Sequence, residues 1–375
     1  MVEAKNPKPF RARSGGLEKR KSSSVKVKVE WESALAQKKG QNACDEQIAS
    51  VAGGMGAGEH VGTGWPAMLR ISDAPLGLRV KPDGVGSGRD RPARILRGVG
   101  GNGPNGARAA VAEGMSCGVV CTQGAEMVPL LCQMLQAEGI RPYVIPRDGG
   151  GAALTLAVPN GTPGVMDLWV QRLTPNLRVA ELSNDVLAAI HGADIVALGP
   201  MANVDAETLE LLALIAQLAK FSLLVPHPEL VRHPRFGEVA GRFKVVALNG
   251  SEAAQVDPGA DGPAEHALRL RHLVGEEVEL VITNGGGPGL VWAGRHWLRF
   301  QPPAVNVVND TGAGDVFSTV FAIWRQRGAS PLEAAEHAMA AAARWISGLP
   351  LGAITPESSP AGWQGSGTSW AEQSL

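Results

Sequence analysis

Val305-Asn-Val-Val-Asn309-Asp310-Thr311-Gly312-Ala313-Gly314-Asp315-Val-Phe-Ser-Thr-Val-Phe-Ala-Ile-Trp324 passes from β-branched residues through a small-residue turn into an apolar stretch with helical spacing. The pattern predicts a strand over 305–308 and a helix opening at the turn. Small residues at a strand-to-helix turn leave the first N–H groups of the helix bare. Those groups, with the helix dipole behind them, form an anion site that suits a phosphate. Asp315 falls in the first turn, where the dipole stabilises a carboxylate and projects it toward whatever the amides hold. The plain alternative is an ordinary glycine-rich helix start with Asp315 satisfying the dipole, because short glycine motifs are frequent by chance.

Outward from this turn the chain keeps one rhythm. Ser330-Pro331-Leu332-Glu333 supplies an N-cap, a first-turn proline and a capping-box glutamate for a second helix reaching Ile346. Upstream, short apolar runs at 117–122, 194–198, 222–226, 243–248 and 279–283 read as buried strands. Helical patterns separate them, such as 205–220, where Leu209, Leu212, Ala213 and Ala216 share a face. Alternation of this kind implies a mainly parallel sheet with helices on both faces. Residues 141–170 break the rhythm, with strand-like pieces separated by Gly149-Gly150-Gly151 and Gly161-Thr162-Pro163-Gly164, and read as an antiparallel insert.

The chain of 375 residues is 44% hydrophobic and carries a net charge of −1, which suits a globular protein and excludes collagen, coiled coil and wholesale disorder. Residues 1–44 hold eleven Lys and Arg against four Glu. So basic a segment, poor in apolar area, reads as a disordered arm rather than a targeting peptide or a nucleic-acid-binding arm, since it lacks an apolar signal core and interleaved aromatics. Residues 1–64 are therefore assigned to the arm and residues 356–375, rich in Ser and Gly, to a second tail. Four cysteines without a C-x-x-C pair argue against a disulfide framework or structural zinc, and point to a reducing, cytoplasmic setting. The longest apolar stretch, 209–219, is too short for a bilayer and interrupted by Glu210 and Gln217, so no membrane partner is expected. A nucleic-acid partner is not expected either.

The string Asn309 to Asp315 resembles the C-terminal signature of the PfkB family of carbohydrate kinases, which share the ribokinase-like fold; Thr311 to Asp315 match outright. Three further resemblances follow in the family's order. Asn249-Gly-Ser-Glu252 is similar to its Asn-x-x-Glu motif, Thr283-Asn-Gly285 to its phosphate loop, and Gly100-Gly101-Asn102-Gly103-Pro104-Asn105 to its N-terminal sugar-contacting motif. The resemblance covers residues 65–355 and implies a three-layer ribokinase-like sandwich with a mainly parallel central sheet. It also implies a small β lid, built from about 67–98 and 141–170.

By the same resemblance, Asp315 is the base that takes a proton from the acceptor hydroxyl, and the backbone of Gly312, Ala313 and Gly314 is the anion hole. Gly100, Gly101 and Asn105 contact the acceptor. Asn249, Thr283, Gly285, Thr311 and, at the place of a family asparagine, His337 lie near the nucleotide. Glu252 serves Mg²⁺ through water. The implied substrates are ATP and a sugar or sugar acid; a nucleoside kinase and a non-catalytic ligand-binding relative are the alternatives, and a homodimer is allowed. Asn309 and Asp310 replace the family's usual Asp and Thr beside a monovalent cation, which leaves potassium activation open. No residue is assigned to the family's first-strand sugar-binding Asp, although Asp73 and Asp83 lie nearby.

Overall fold

Side chains alternate between the two faces of a strand, so a strand buried on both faces must be apolar at every position. Ile195, Val196, Ala197 and Leu198 meet this condition. Val196 and Leu198 join one core cluster, with Ile190 and Leu212, while Ile195 and Ala197 join a second on the opposite face, with Val320 and Phe321. The structure, a computed structural model, describes residues 64–72, 74, 76–82, 93–148, 154–159, 166–171, 176–259 and 262–351, all within one compact unit, His60–Leu375. The basic arm before residue 64 and the tail at 356–375 lie outside the described residues, as do Asp73 and Asp83.

The strands, in chain order, are β1 (Met68–Ile71), β2 (Leu76–Pro82), β3 (Ala93–Val99), β4 (Cys117–Gly124), β5 (Ile140–Arg147), β6 (Leu154–Pro159), β7 (Met166–Gln171), β8 (Ile195–Leu198), β9 (Ser222–Leu224), β10 (Val245–Asn249), β11 (Glu279–Asn284), β12 (Gly287–Ala293) and β13 (His296–Phe300). The helices are α1 (Asn102–Ala112), α2 (Val128–Ala137), α3 (Asn184–Gly192), α4 (Ala206–Leu218), α5 (Pro228–Arg232), α6 (Phe236–Ala240), α7 (Gly250–Ala253), α8 (Pro263–Val274), α9 (Ala313–Gln326) and α10 (Pro331–Ile346).

Nine strands form an open sheet in the order β13-β12-β11-β10-β9-β8-β1-β4-β5, parallel from β5 to β11 and closed by the antiparallel meander β11-β12-β13. Residues of α3, α4, α6 and α8 pack on one face, and those of α1, α2, α9 and α10 on the other. The fold is thus the three-layer α/β arrangement that the alternation implied. Local signals act where expected: Asp205 caps α4 by accepting from Thr208 N at 2.8 Å, and Ser330 with Glu333 forms the capping box of α10.

Three expectations are corrected. Residues 305–308 form no strand. Val307 and Val308 are exposed, and the N–H groups of Val308 and Asn309 donate to Ile346 O at the end of α10, so the segment is held by a helix terminus rather than a sheet neighbour. Two pieces that fall within the ranges assigned to the lid, 68–71 and 141–147, run in the main sheet instead, in β1 between β8 and β4 and in the edge strand β5. The separate four-stranded sheet, in the order β3-β2-β6-β7, draws only on 76–99 and 154–171. Within it β6 and β7 are antiparallel, as the insert implied, while β2 and β6 pair in parallel.

Candidate active site

The chain leaves β1 for β4 on one side and later returns to β8 on the other, so the strand order reverses at the β1/β8 boundary. In open α/β sheets a crevice forms outside the carboxyl ends of the strands at such a point. A cleft of about 180 Å³ is found there, lined by Pro200 after β8, Val225 after β9, Asn249 ending β10, Thr283 in β11, and residues from the starts of α1 and α9.

The start of α9 shapes one wall. Gly312 is its N-cap, in the left-handed region at φ 85°, where an L side chain is strained. A Cβ there would also lie 2.6 Å from Asn105 Nδ2. No side chain caps this helix; Ala313 N donates to Asp310 O at 3.2 Å, while a Cβ on Gly314 would meet nothing within 4 Å, so the turn faces open space. Trp345 fastens the turn from behind, its Nε1–H donating to Thr311 O at 2.7 Å. Thr311 N in turn donates to Asn309 Oδ1 at 3.2 Å.

Asp315 lies on the cleft wall but is only 5% exposed. Both its oxygens accept from the start of α1: Asn102 Nδ2 donates to Oδ1 at 2.5 Å and Asn105 Nδ2 to Oδ2 at 3.1 Å. Gly101, with φ 85°, is the N-cap of α1, and its carbonyl accepts from Asn105 N. Burial pushes the Asp315 carboxyl above the ordinary carboxylate range, opposed by the nearby Arg70 guanidinium and by the Asn105 and Asn102 amides.

Asn249 and Glu252 line the opposite side as a reciprocal cap of α7: Asn249 Oδ1 accepts from Glu252 N at 2.9 Å, and Glu252 Oε2 from Asn249 N at 2.8 Å. The cap reading of Asn-x-x-Glu and its placement in the cleft therefore hold together. Burial raises the Glu252 carboxyl, the Asn249 N–H lowers it, and the negative charge of Asp315 raises it further. Thr283 stands beside Asn249 in the β10–β11 register and lines the cleft.

Other expected residues sit elsewhere. Gly285 is exposed at the tip of the β11–β12 hairpin, φ 53°, where Asn284 pairs with Gly287. His337 does not line the cleft; its ring stacks on Trp324 with centroids 3.5 Å apart and planes 4° from parallel. Three residues at the site escaped the sequence reading. Asn102 sits within the Gly-Gly…Asn string that singled out Asn105. Arg70, in β1, is wholly buried and donates to Thr319 Oγ1 and Asn102 O. Thr319 lies one turn beyond Asp315.

The model of the pfkB family carbohydrate kinases matches residues 79–352. No curated protein sequence matches the chain. Among solved structures, a carbohydrate kinase from Agrobacterium tumefaciens is 20% identical with a TM-score of 0.59, the match covering 74% of this chain and 89% of that one. A ribokinase of Arabidopsis thaliana complexed with ribose and ATP is 18% identical (TM-score 0.59; 75% and 93%). Phosphofructokinase-2 from Escherichia coli, in complex with substrates and products, is 16% identical (TM-score 0.60; 74% and 92%). At these identities the structural likeness speaks for the fold.

Proposed function

The chain belongs to the pfkB family of carbohydrate kinases, and from that premise we propose that it transfers the γ-phosphoryl group of ATP to a hydroxymethyl group of a sugar or sugar acid, with Asp315 as the base. The observation that carries this reading is the position of Asp315: a buried carboxylate in the first turn of α9, on the wall of the cleft, beside an uncapped helix start. The acceptor oxygen bonds to the γ-phosphorus, the bond from that phosphorus to the β,γ-bridging oxygen breaks, and the alcohol proton passes to Asp315. A carboxylate raised by burial is a better match for such a proton than an ordinary one. In a loose phosphoryl-transfer transition state, positioning and charge stabilisation dominate.

The N–H groups of the Gly312–Gly314 turn would stabilise the transferring phosphoryl, for which one donor is typically worth about 3 kcal/mol. Asn249, Thr283 and Thr311 border the region assigned to the phosphates, and the start of α1 at Gly100 and Gly101 the region assigned to the acceptor. Among the described residues no group of three or more His, Cys, Asp or Glu side chains could hold a metal. One half-buried carboxylate, Glu252, in the electrostatic reach of Asp315 fits Mg²⁺, which takes one or two carboxylates, several waters and substrate phosphates rather than a protein cage. Glu252 would hold the ion through water, and the ion would neutralise charge on the phosphate oxygens.

ADP release from ATP and Mg²⁺ against a panel of ketoses, aldoses, sugar acids and nucleosides tests the proposal. Stimulation by a sugar or sugar acid is expected. Stimulation by nucleosides alone would move the acceptor class, and no stimulation by any acceptor would overturn the kinase reading.

A further inference from the structure

Beneath Asp315 lies a cation that the reaction does not touch. Arg70 is 0% exposed in β1, next to the strand-order reversal. Nη1 donates to Thr319 Oγ1 on α9 at 2.9 Å, and Nη2 to the carbonyl of Asn102 at the start of α1 at 3.0 Å. Helix α1 opens a passage for it at Gly106, where a Cβ would lie 2.6 Å from both Arg70 Cζ and Thr319 Oγ1. Burying a guanidinium costs far more than burying a leucine at the same place, so packing gives no account of it. What an aliphatic residue there could not do is tie the start of α1 to the middle of α9 by directed hydrogen bonds.

We propose that Arg70 is a positioning residue: a buried brace that fixes the start of α1 against α9 so that the Asn102 amide meets Asp315. The inference rests on the reading of Asp315 as the base. The brace acts through geometry, since its hydrogen bonds go to Thr319 and Asn102 and not to the carboxylate. The charge groups facing it are Asp315 from α9 and the Cys117 thiol from β4, which burial keeps protonated, its pKa pushed up to about 12. Among the described residues Arg70 Nε has no hydrogen-bond partner. The two Nη contacts therefore carry the bridge.

Arg70→Met, Arg70→Lys and Thr319→Val proteins test this by two readouts: steady-state kinetics, and the side-chain amide resonance of Asn102 with its hydrogen-exchange rate, assigned by its loss in Asn102→Ser. In folded Arg70→Met, kcat is expected to fall about 10²-fold, the size attached to a misplacement of about 1 Å, with KM for ATP within about twofold of wild type and the Asn102 amide exchanging faster. Arg70→Lys restores part of kcat, because an ammonium can donate to one of the two acceptors but lacks the planar fork that reaches both. Wild-type kcat and an unchanged Asn102 resonance in a folded Arg70→Met protein would overturn the brace. If that variant does not fold, Thr319→Val, which removes one of the two anchors, decides by the same readouts. If wild type phosphorylates nothing in the acceptor panel, the kinase reading fails, and the Asn102 resonance still decides whether Arg70 holds it.

Discussion

Asn102 and Asp315, 213 residues apart in the chain, meet through a 2.5 Å hydrogen bond from the amide to the carboxylate. Each belongs to the first turn of its own helix, and the two turns converge on the same cleft. With Asn105 on the other oxygen, the carboxylate is held at both ends. Each carboxylate oxygen accepts more than one hydrogen bond, so an incoming alcohol need not displace either amide. The carboxylate is oriented before substrate arrives.

Replacing Asp315 separates chemistry from structure. Asp315→Asn is expected to fold and to lose about 10³-fold or more in kcat, as residues acting as a unit do. Asp315→Ala loses activity equally but also strands the amides of Asn102 and Asn105. A buried donor left unsatisfied costs about 1–3 kcal/mol. Urea unfolding should therefore rank wild type above Asp315→Asn, and Asp315→Ala lowest.

The raised Asp315 carboxyl gives activity and stability opposite dependences on pH. If Asp315 is the base proposed above, activity needs it ionised, so the acidic limb of kcat/KM should lie above the ordinary aspartate value of about 3.9, activity rising with pH through the folded-state pKa. Between the unfolded and folded values the folded chain holds a proton that the unfolded chain has lost, so the stability contributed by this group falls as pH rises through the same interval. Paired kcat/KM and urea-midpoint profiles check both slopes. The stability slope should shrink in Asp315→Asn.

At Gly312 backbone and side-chain constraints coincide. Gly312→Ala places a Cβ 3.0 Å from Asn105 Cγ and 3.3 Å from Trp345 Nε1 while keeping a left-handed φ. The conformation alone costs about 1–2 kcal/mol. Denaturant melts should show at least that loss, and kcat should fall because Asn105 is pushed off Asp315; unchanged kinetics would exclude that coupling.

Glu252→Gln keeps the cap of α7, since glutamine serves the capping box as glutamate does. Stability should change by less than about 1 kcal/mol. The Mg²⁺ concentration giving half-maximal activity should rise several-fold, read by titration of the ion at saturating ATP. An unaltered requirement would remove Glu252 from the metal environment.

Much of this was legible in the sequence where one signal dominated. The runs around Val196, Val246 and Val281 were unbroken and apolar, so parallel strands followed. β1 was not legible: four residues long, it carries Arg70 at its third position, and a charge in so short a run conceals a strand whose arginine finds its partners far away on Asn102 and Thr319. Residues 305–308 erred in the opposite direction, since β-branched residues describe only a preference for extended backbone, and the segment here finds its partner at the end of α10 and not in a sheet. At the site, local motifs located Asp315, Asn249 and Glu252. The bond from Asn102 to Asp315 is tertiary and leaves no local trace. His337 held the expected place in sequence, but the flat face of Trp324 was available to it.

The fastening of the Thr311 carbonyl by Trp345, with Ile346 holding Val308 and Asn309, orders events during synthesis. A nascent chain that has emerged as far as Ser318 already contains Asn102, Glu252, Thr283 and Asp315, yet the turn before Asp315 still lacks its anchor. Only when the last turn of α10 clears the ribosome can that turn be set. Premature stops just ahead of Trp345 would therefore yield polypeptides with every cleft residue named here and an unmoored turn among them.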